Sequence, residues 1–221
     1  MTSSEANQRP DPATREGPAT ERVRRRYREA AAGYDRQIES AERFLGGDGR
    51  AWVGQRARGD VLEIAIGTGR SIPYYPPNVR LTGIDLSPEM LELARQRANS
   101  LGRAIDLRVA NAEALPFPDA SFDTVVDTLG LCTIPDPRAA LREARRVLRP
   151  GGRLLLWEHV RSPVLPVQLV QRLLNPFSKR WQADDLLRQP LDDVIAVGFT
   201  VEETGSMKWG IGQLIMARNP S

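Results

Sequence analysis

The apolar run Val61-Leu62-Glu63-Ile64-Ala65-Ile66 passes without a break into Gly67-Thr68-Gly69-Arg70, and no other feature constrains the fold as much. A short apolar run bounded by turn residues reads as a strand buried on both faces, and such strands belong to parallel sheets. Gly67 and Gly69 let the backbone bend sharply and admit a ligand closer than any side chain would permit. Downstream of Gly59-Asp60, short apolar runs alternate with longer helical patterns, the rhythm of βαβ units. Strands are predicted at 61–65, 81–84, 105–109, 124–128 and 153–157, with two closing strands at 199–203 and 213–217. Ser87 before Pro88 and Asp136 before Pro137 each place a capping side chain ahead of a proline in the first helical position. Leu141, Ala144, Val147 and Leu148 share one face of the second of these helices, and Pro150-Gly151-Gly152 is expected to end it.

Outside this core, residues 1–19 hold Pro10, Pro12, Gly17 and Pro18 among polar residues and read as a disordered tail. Residues 20–58 read as a cap of two helices interrupted by Gly46, Gly47 and Gly49, and residues 59–221 as the core. Within the core, residues 160–198 form an insertion or lid punctuated by Pro163, Pro166, Pro176 and Pro190. Its apolar piece around Leu169, Val170, Leu173 and Leu174 is expected to pack in the core rather than lie on a membrane, because its polar positions are Gln168, Gln171 and Arg172 rather than a basic face.

Composition excludes several classes. A chain of 221 residues is one domain, since single cores rarely pass about 250 residues. Cys132 and His159 stand alone in their kinds, so disulfide frameworks, zinc clusters and histidine-rich sites are excluded by counting; no metal is expected, and a reducing cytoplasm is the expected setting. The 31 basic residues nearly balance 28 acidic ones. The run Arg22, Arg24, Arg25, Arg26 and Arg28, flanked by Glu21 and Glu29, reads as a solvated helix flank rather than a nucleic-acid surface. No run approaches the 18 apolar residues of a membrane span, so a soluble protein is expected.

The second predicted strand ends in Gly83-Ile84-Asp85. An acidic residue about 20 positions after a glycine turn, at the end of the next strand, is where a ribose diol binds, because one carboxylate accepts from two vicinal hydroxyls. A dinucleotide oxidoreductase would need a third glycine where Ile72 stands, and Glu63 would repel a pyrophosphate while suiting a ligand with an ammonium group. S-adenosylmethionine, with a ribose, an adenine, a sulfonium and no phosphate, fits these residues better.

Four motifs occur in order: Leu62-Glu63-Ile64-Ala65-Ile66-Gly67-Thr68-Gly69, Gly83-Ile84-Asp85-Leu86-Ser87-Pro88-Glu89-Met90-Leu91, Asn111-Ala112-Glu113-Ala114-Leu115-Pro116-Phe117 and Leu148-Arg149-Pro150-Gly151-Gly152. Together, over about residues 34–158, they closely resemble class I S-adenosylmethionine-dependent methyltransferases. With Pro73-Tyr74-Tyr75-Pro76-Pro77, Cys132 and Glu158-His159-Val160, the chain is similar to bacterial phospholipid-amine methyltransferases and animal thiol methyltransferase-like proteins, and more distantly to quinone-ring C-methyltransferases.

The resemblance implies an α/β fold, a Rossmann-like, mostly parallel sheet of seven strands with helices on both faces and an antiparallel last strand. It implies S-adenosyl-L-methionine as cofactor, leaving as S-adenosyl-L-homocysteine. Gly67 and Gly69 would line the methionine part, with Glu63 beneath and Ala65 where a glycine is usual. Asp85 would hold the ribose, Leu86 and Met90 would sandwich the adenine, Asn111, Ala112 and Glu113 would meet its edge, and Thr128 and Leu129 would complete the set. Methyl transfer from a sulfonium is an in-line displacement that depends mainly on alignment in a closed site. Tyr34 resembles a lid tyrosine, and His159, the sole imidazole, is the candidate base, against the alternative of a structural histidine. Cys132, Phe177 and Trp181 would border the acceptor pocket, with Cys132 a packing residue rather than a nucleophile. The partner expected is a small-molecule thiol, amine, hydroxyl or activated carbon; Asp127-Thr128-Leu129-Gly130 lacks the Pro-Pro-aromatic run of amino-methylating nucleic-acid enzymes. The alternatives are a protein using the bound sulfonium for cyclisation or rearrangement, and a dinucleotide-dependent oxidoreductase.

Overall fold

Each predicted strand is realised in one sheet of the computed structural model, which describes residues 17–45 and 48–220. The strands are β1 (Asp60–Ile64), β2 (Arg80–Asp85), β3 (Ile105–Val109), β4 (Phe122–Thr128), β5 (Leu148–His159), β6 (Thr200–Met207) and β7 (Gly212–Arg218), in the order β3-β2-β1-β4-β5-β7-β6. β1 to β5 pair in parallel, whereas β7 is antiparallel to both β5 and β6. This is the Rossmann-like, mostly parallel sheet of seven strands. The central strands are buried on both faces, and period-2 alternation divides them: Leu62, Leu154 and Leu156 enter one apolar cluster, Val61, Leu155 and Trp157 the other.

Seven α-helices are described: α1 (Pro18–Ala30), α2 (Tyr34–Leu45), α3 (Gly49–Arg56), α4 (Pro88–Ser100), α5 (Pro137–Val147), α6 (Leu165–Trp181) and α7 (Pro190–Ala196). α5 and α7 cover the first cluster, α3 and α4 the second. The capping expectations hold. Ser87 Oγ accepts from the Met90 N–H at 3.3 Å, and Asp136 Oδ1 from the Ala139 N–H at 2.9 Å.

Four expectations change. The cap contains three helices, because Gly49 opens a separate α3. Its Cβ, if present, would lie 2.0 Å from the Trp157 indole, so only glycine lets α3 seat on β5. Pro18 and Ala19, assigned to the tail, are the first turn of α1; residues 1–16 and Gly46-Gly47 lie outside the described residues. α5 ends at Val147 rather than at Pro150, and β5 begins at Leu148, five residues before the predicted strand. Arg149 precedes a proline and so disfavours the helical region, and the segment is held instead by Asn219, whose Nδ2 donates to the Leu148 carbonyl at 3.0 Å.

The fourth change concerns the insertion. α6 runs without interruption through Pro176, and apart from Val167, which packs against the second cluster, its large apolar residues are exposed: Leu165 is 69% exposed, Leu173 73% and Trp181 61%. A helix expected to pack is an exposed apolar flank. Among the described residues no helix is long and apolar enough to cross a membrane.

Gly49→Ala should destabilise the protein by about 3 kcal/mol, the upper end of overpacking costs. Gly33→Ala, where the added atom would meet only the Gln37 side chain at 3.5 Å, should leave stability nearly unchanged. Urea unfolding of the two variants checks the difference.

Candidate functional site

At the carboxyl ends of β1, β2 and β4 the backbone turns away from the sheet and opens a cleft, the usual ligand position in such sheets. Ala65, Gly67, Asp85, Leu86, Asn111, Ala112, Thr128 and Leu129 all line it, together with Tyr34. Gly67 has φ +57°, and a Cβ there would meet nothing nearer than the Ala65 carbonyl at 3.9 Å, so the turn presents bare backbone to the cleft. Ala65 at φ +50° and Leu129 at φ +58° are left-handed without being glycine, local strain held on either side of the same space. Asp85 Oδ2 accepts from the Gly67 N–H and Oδ1 from the Ser87 N–H, each at 2.9 Å. Burial pushes its carboxyl up to about 6, against the pull of these backbone donors.

Four expected residues stand apart from the lining. Gly69 is behind the turn, where a Cβ would strike Ile72 and Ala94; its role is to let α4 approach. Met90 is fully buried. Glu113 faces away, accepting from the Asp136 N–H at 2.6 Å, while its own N–H donates to Asn111 Oδ1 at 2.9 Å. Glu63 lies under the floor; Thr128 Oγ1 donates to its Oε1 at 3.2 Å, and burial pushes its carboxyl up to about 7. Ile72, at the third-glycine position of a dinucleotide fingerprint, is fully buried.

Sequence reasoning missed the group that ties the cap to this cleft. Arg50, on α3, is buried and donates through Nη1 to Ser71 Oγ at 2.8 Å and Thr128 Oγ1 at 2.7 Å, and through Nη2 to Glu42 Oε1 at 2.6 Å. Arg70 reaches the other oxygen of Glu42 at 2.7 Å. Asp35 accepts from Thr68 Oγ1 at 2.6 Å and pairs with Arg97, and Arg24 Nε donates to the Leu86 carbonyl at 3.2 Å. α1, α2 and α3 thus close over the glycine turn through charged contacts, which carry no hydrophobic periodicity to betray them.

A second, wider cleft adjoins the first between the cap and α6. Cys132, His159, Phe177 and Trp181 line it, as do Ile38, Phe44 and Trp209. Tyr27, Tyr34, Leu129 and Thr133 border both clefts. Tyr27, also missed, stands seven residues before Tyr34, and the rings meet edge to face at 5.9 Å; burial pushes both phenols up. His159 Nε2 is 2.8 Å from Asp184 Oδ1, and its Nδ1 is buried without a protein partner. Nothing in the sequence joins these two residues. Burial, and then Asp184 and Glu158, push the Cys132 thiol up, which keeps it a neutral thiol. Counting does not exclude a mixed trio: ligand atoms of Cys132, His159 and Asp184 all lie within 4.8 Å of one another.

Between the clefts and the sheet lies a buried carboxyl pair. The Leu131 N–H donates to Asp127 Oδ2 at 3.1 Å and to Glu158 Oε1 at 3.0 Å. Two carboxyls this close cannot both ionise: burial pushes both up, the Asp127 charge raises Glu158 further, and the hydrogen bond from Glu158 pulls Asp127 part of the way back.

Residues 62–156 match a methyltransferase domain family. The chain is 38% identical over 130 residues to a phosphatidylethanolamine N-methyltransferase of Cereibacter sphaeroides, covering 57% of this chain and 64% of that one. It is 38% identical over 135 residues to a thiol S-methyltransferase of Homo sapiens, covering 58% and 54%. The chain therefore spans less than two thirds of the length of either relative. In fold it resembles a solved putative methyltransferase of Bacillus halodurans, with TM-score 0.68, 20% identity, and coverage of 79% of this chain and 100% of that one.

The carboxyl pair yields a prediction about pH. Folded-state values raised above the unfolded ones mean that the pair's contribution is full at acid pH and is lost as pH rises through the raised values. Glu158→Gln keeps the shape and can donate to Asp127 Oδ1, which has no partner. Its Tm should gain on the wild type progressively from pH 6 to pH 9; a pH-independent difference would show that the pair does not share a proton.

Proposed function

We propose, from the match of residues 62–156 to a methyltransferase domain family, that the chain moves a methyl group from S-adenosylmethionine to a small-molecule acceptor. The observation that carries this reading is the meeting of the two clefts at Tyr27, Tyr34, Leu129 and Thr133, one cleft floored by the glycine turn and Asp85, the other walled by apolar side chains around the only imidazole. A donor on one side and an acceptor on the other would face each other across this junction.

The first cleft fits the donor. The uncovered backbone at Gly67 admits its amino-acid part, Asp85 offers a carboxylate to the ribose, and Leu86 and Ala112 give apolar walls to the adenine. Asn111 Oδ1, although it takes the Glu113 N–H, keeps a second lone pair. Asp85, at the carboxyl end of β2, is the carboxyl that opens on this cleft, and its charge suits a cation and opposes a pyrophosphate. When bound, the sulfonium supplies an electrophilic methyl whose leaving group is a neutral thioether.

This chain's residues then align and shield. Tyr27 and Tyr34, held as neutral phenols by burial, close the junction against water. Asp184 accepts from His159 Nε2–H, which fixes the tautomer and leaves Nδ1 as the lone-pair atom that takes the acceptor's proton. Cys132 remains a neutral thiol and packs. The wide, largely apolar second cleft suits an acceptor with an apolar body that presents a thiol, amine or hydroxyl. The relatives named for a phospholipid amine and for thiols agree with that class. The setting proposed is the cytoplasmic side of the cell, with no nucleic acid involved.

Two results test this. His159→Ala should lower kcat by about a hundredfold or more, the usual size of general-base catalysis, with cofactor affinity unchanged by calorimetry; an undiminished rate would make His159 structural. Because the Asp85 carboxyl is pushed up to about 6, affinity for S-adenosylmethionine should weaken about tenfold between pH 7 and pH 5. Asp85→Asn should bind weakly at every pH and lose that dependence. Mass gain of one methyl across thiol, amine, phenol and quinol acceptors identifies the substrate.

A further inference from the structure

The exposed side of α6 is apolar where a water-facing helix should be polar. Leu165, Leu169 and Leu173 recur at i, i+4 and i+8 along its outer face, and Leu169, the least exposed of the three, is still 51% accessible. Beside them Phe177 and Trp181 stack at 5.3 Å, 54% and 61% exposed, and across the mouth of the second cleft Trp209 is 58% exposed. A contiguous apolar surface of this kind marks a site of interaction.

Charge selects the occupant. Between His159 and Asp184 the chain carries Arg161, Arg172, Lys179 and Arg180 and not one acidic residue; Lys179 is paired with Asp185 at 2.9 Å, which leaves the arginines to set the charge of the patch. Arg172 and Arg180 are exposed on the same face as the leucines. On the opposite lip Lys208 lies 5.2 Å from the Phe44 ring and 5.0 Å from that of Trp209. A second copy docking by two-fold symmetry would bring Arg172, Arg180 and Lys208 of the two copies together, like charge against like. Residues 1–16 have a single large apolar side chain, Met1, and so little with which to cover the patch. Leucines flanked by arginines, with tryptophans at the margin, match the boundary between the acyl chains and the headgroups of an anionic bilayer.

We infer that α6, with Trp209 and Phe44, is an interfacial docking surface for anionic lipid bilayers. Phe177, Trp181 and Trp209 also line the second cleft, so docking would set its mouth against the lipid; this last clause rests on the function proposed above, and there the acceptor enters from the membrane rather than from water.

The test uses the full chain without cofactor or acceptor, and vesicles of phosphatidylcholine alone or with 30% phosphatidylglycerol. Co-sedimentation should show binding to the anionic vesicles at least tenfold tighter than to the neutral ones, reduced severalfold or more between 0.1 and 0.5 M NaCl. Tryptophan emission should shift to the blue. Leu169→Glu with Leu173→Glu should lose at least tenfold in vesicle affinity; both residues are exposed and neither lines a cleft, so circular dichroism, Tm and cofactor affinity should not change. Arg172→Glu with Arg180→Glu should lose only the preference for anionic vesicles. Equal binding by the leucine variant, or no binding by the wild type, would overturn the inference, as would a dimer in sedimentation that the leucine variant dissolves. A chain that binds vesicles but not S-adenosylmethionine would sink the proposed function alone; one that binds the nucleoside but not vesicles would sink only this inference.

Discussion

One buried guanidinium holds the two halves of the site together. Arg50 sits on a cap helix, yet its partners are Glu42 from the cap, Ser71 from the glycine turn and Thr128 from the end of β4. A charge taken out of water is tolerated only when its donors are matched, and removing one partner of such a pair costs about 3 to 5 kcal/mol. Arg50 lines the first cleft beside Tyr34, so the contact that fixes the cap also fixes the wall of the binding space.

Around that cation the sheet gathers acid. Glu63, Asp85, Asp127 and Glu158 are all held by burial above the ordinary carboxylate range, for the same reason: each lies where the sheet and its covering helices exclude water. Asp85 alone both opens on the cleft and is anchored by backbone donors on each oxygen, which suits it to a ligand. Asp127 and Glu158 turn inward onto the Leu131 N–H and shape the loop after β4, where Leu129 takes a left-handed conformation between the two clefts. Electrostatics and backbone strain therefore concentrate at the carboxyl edge, while the opposite edge shows ordinary pairs such as Arg149 with Asp60.

The insertion shows how a helix can be legible while its environment is not. The spacing of Leu165, Leu169 and Leu173 is as plain in the sequence as that of Leu141, Ala144 and Val147. The second set is wholly buried beneath the sheet and the first is exposed. Periodicity reports that a face exists; it does not report what lies opposite it. The same limit explains Met90 and Gly69, which sit in the right motif but behind the cleft, and Asp184, which meets His159 across 25 positions of chain.

The sequence by itself determined the succession of strands and helices along the chain, the glycine turn, the acidic end of β2 and the two capped helices, because each is a local signal: an apolar run, a residue able to take positive φ, an oxygen next to a proline. The tertiary structure alone decided that Arg50 would clamp the cap, that Tyr27 would join Tyr34 between two clefts, that Asp184 would hold His159, and that α6 would turn its leucines outward. Those outcomes depend on long-range charge pairing and on which surfaces meet, and neither leaves a period or a short motif in the chain.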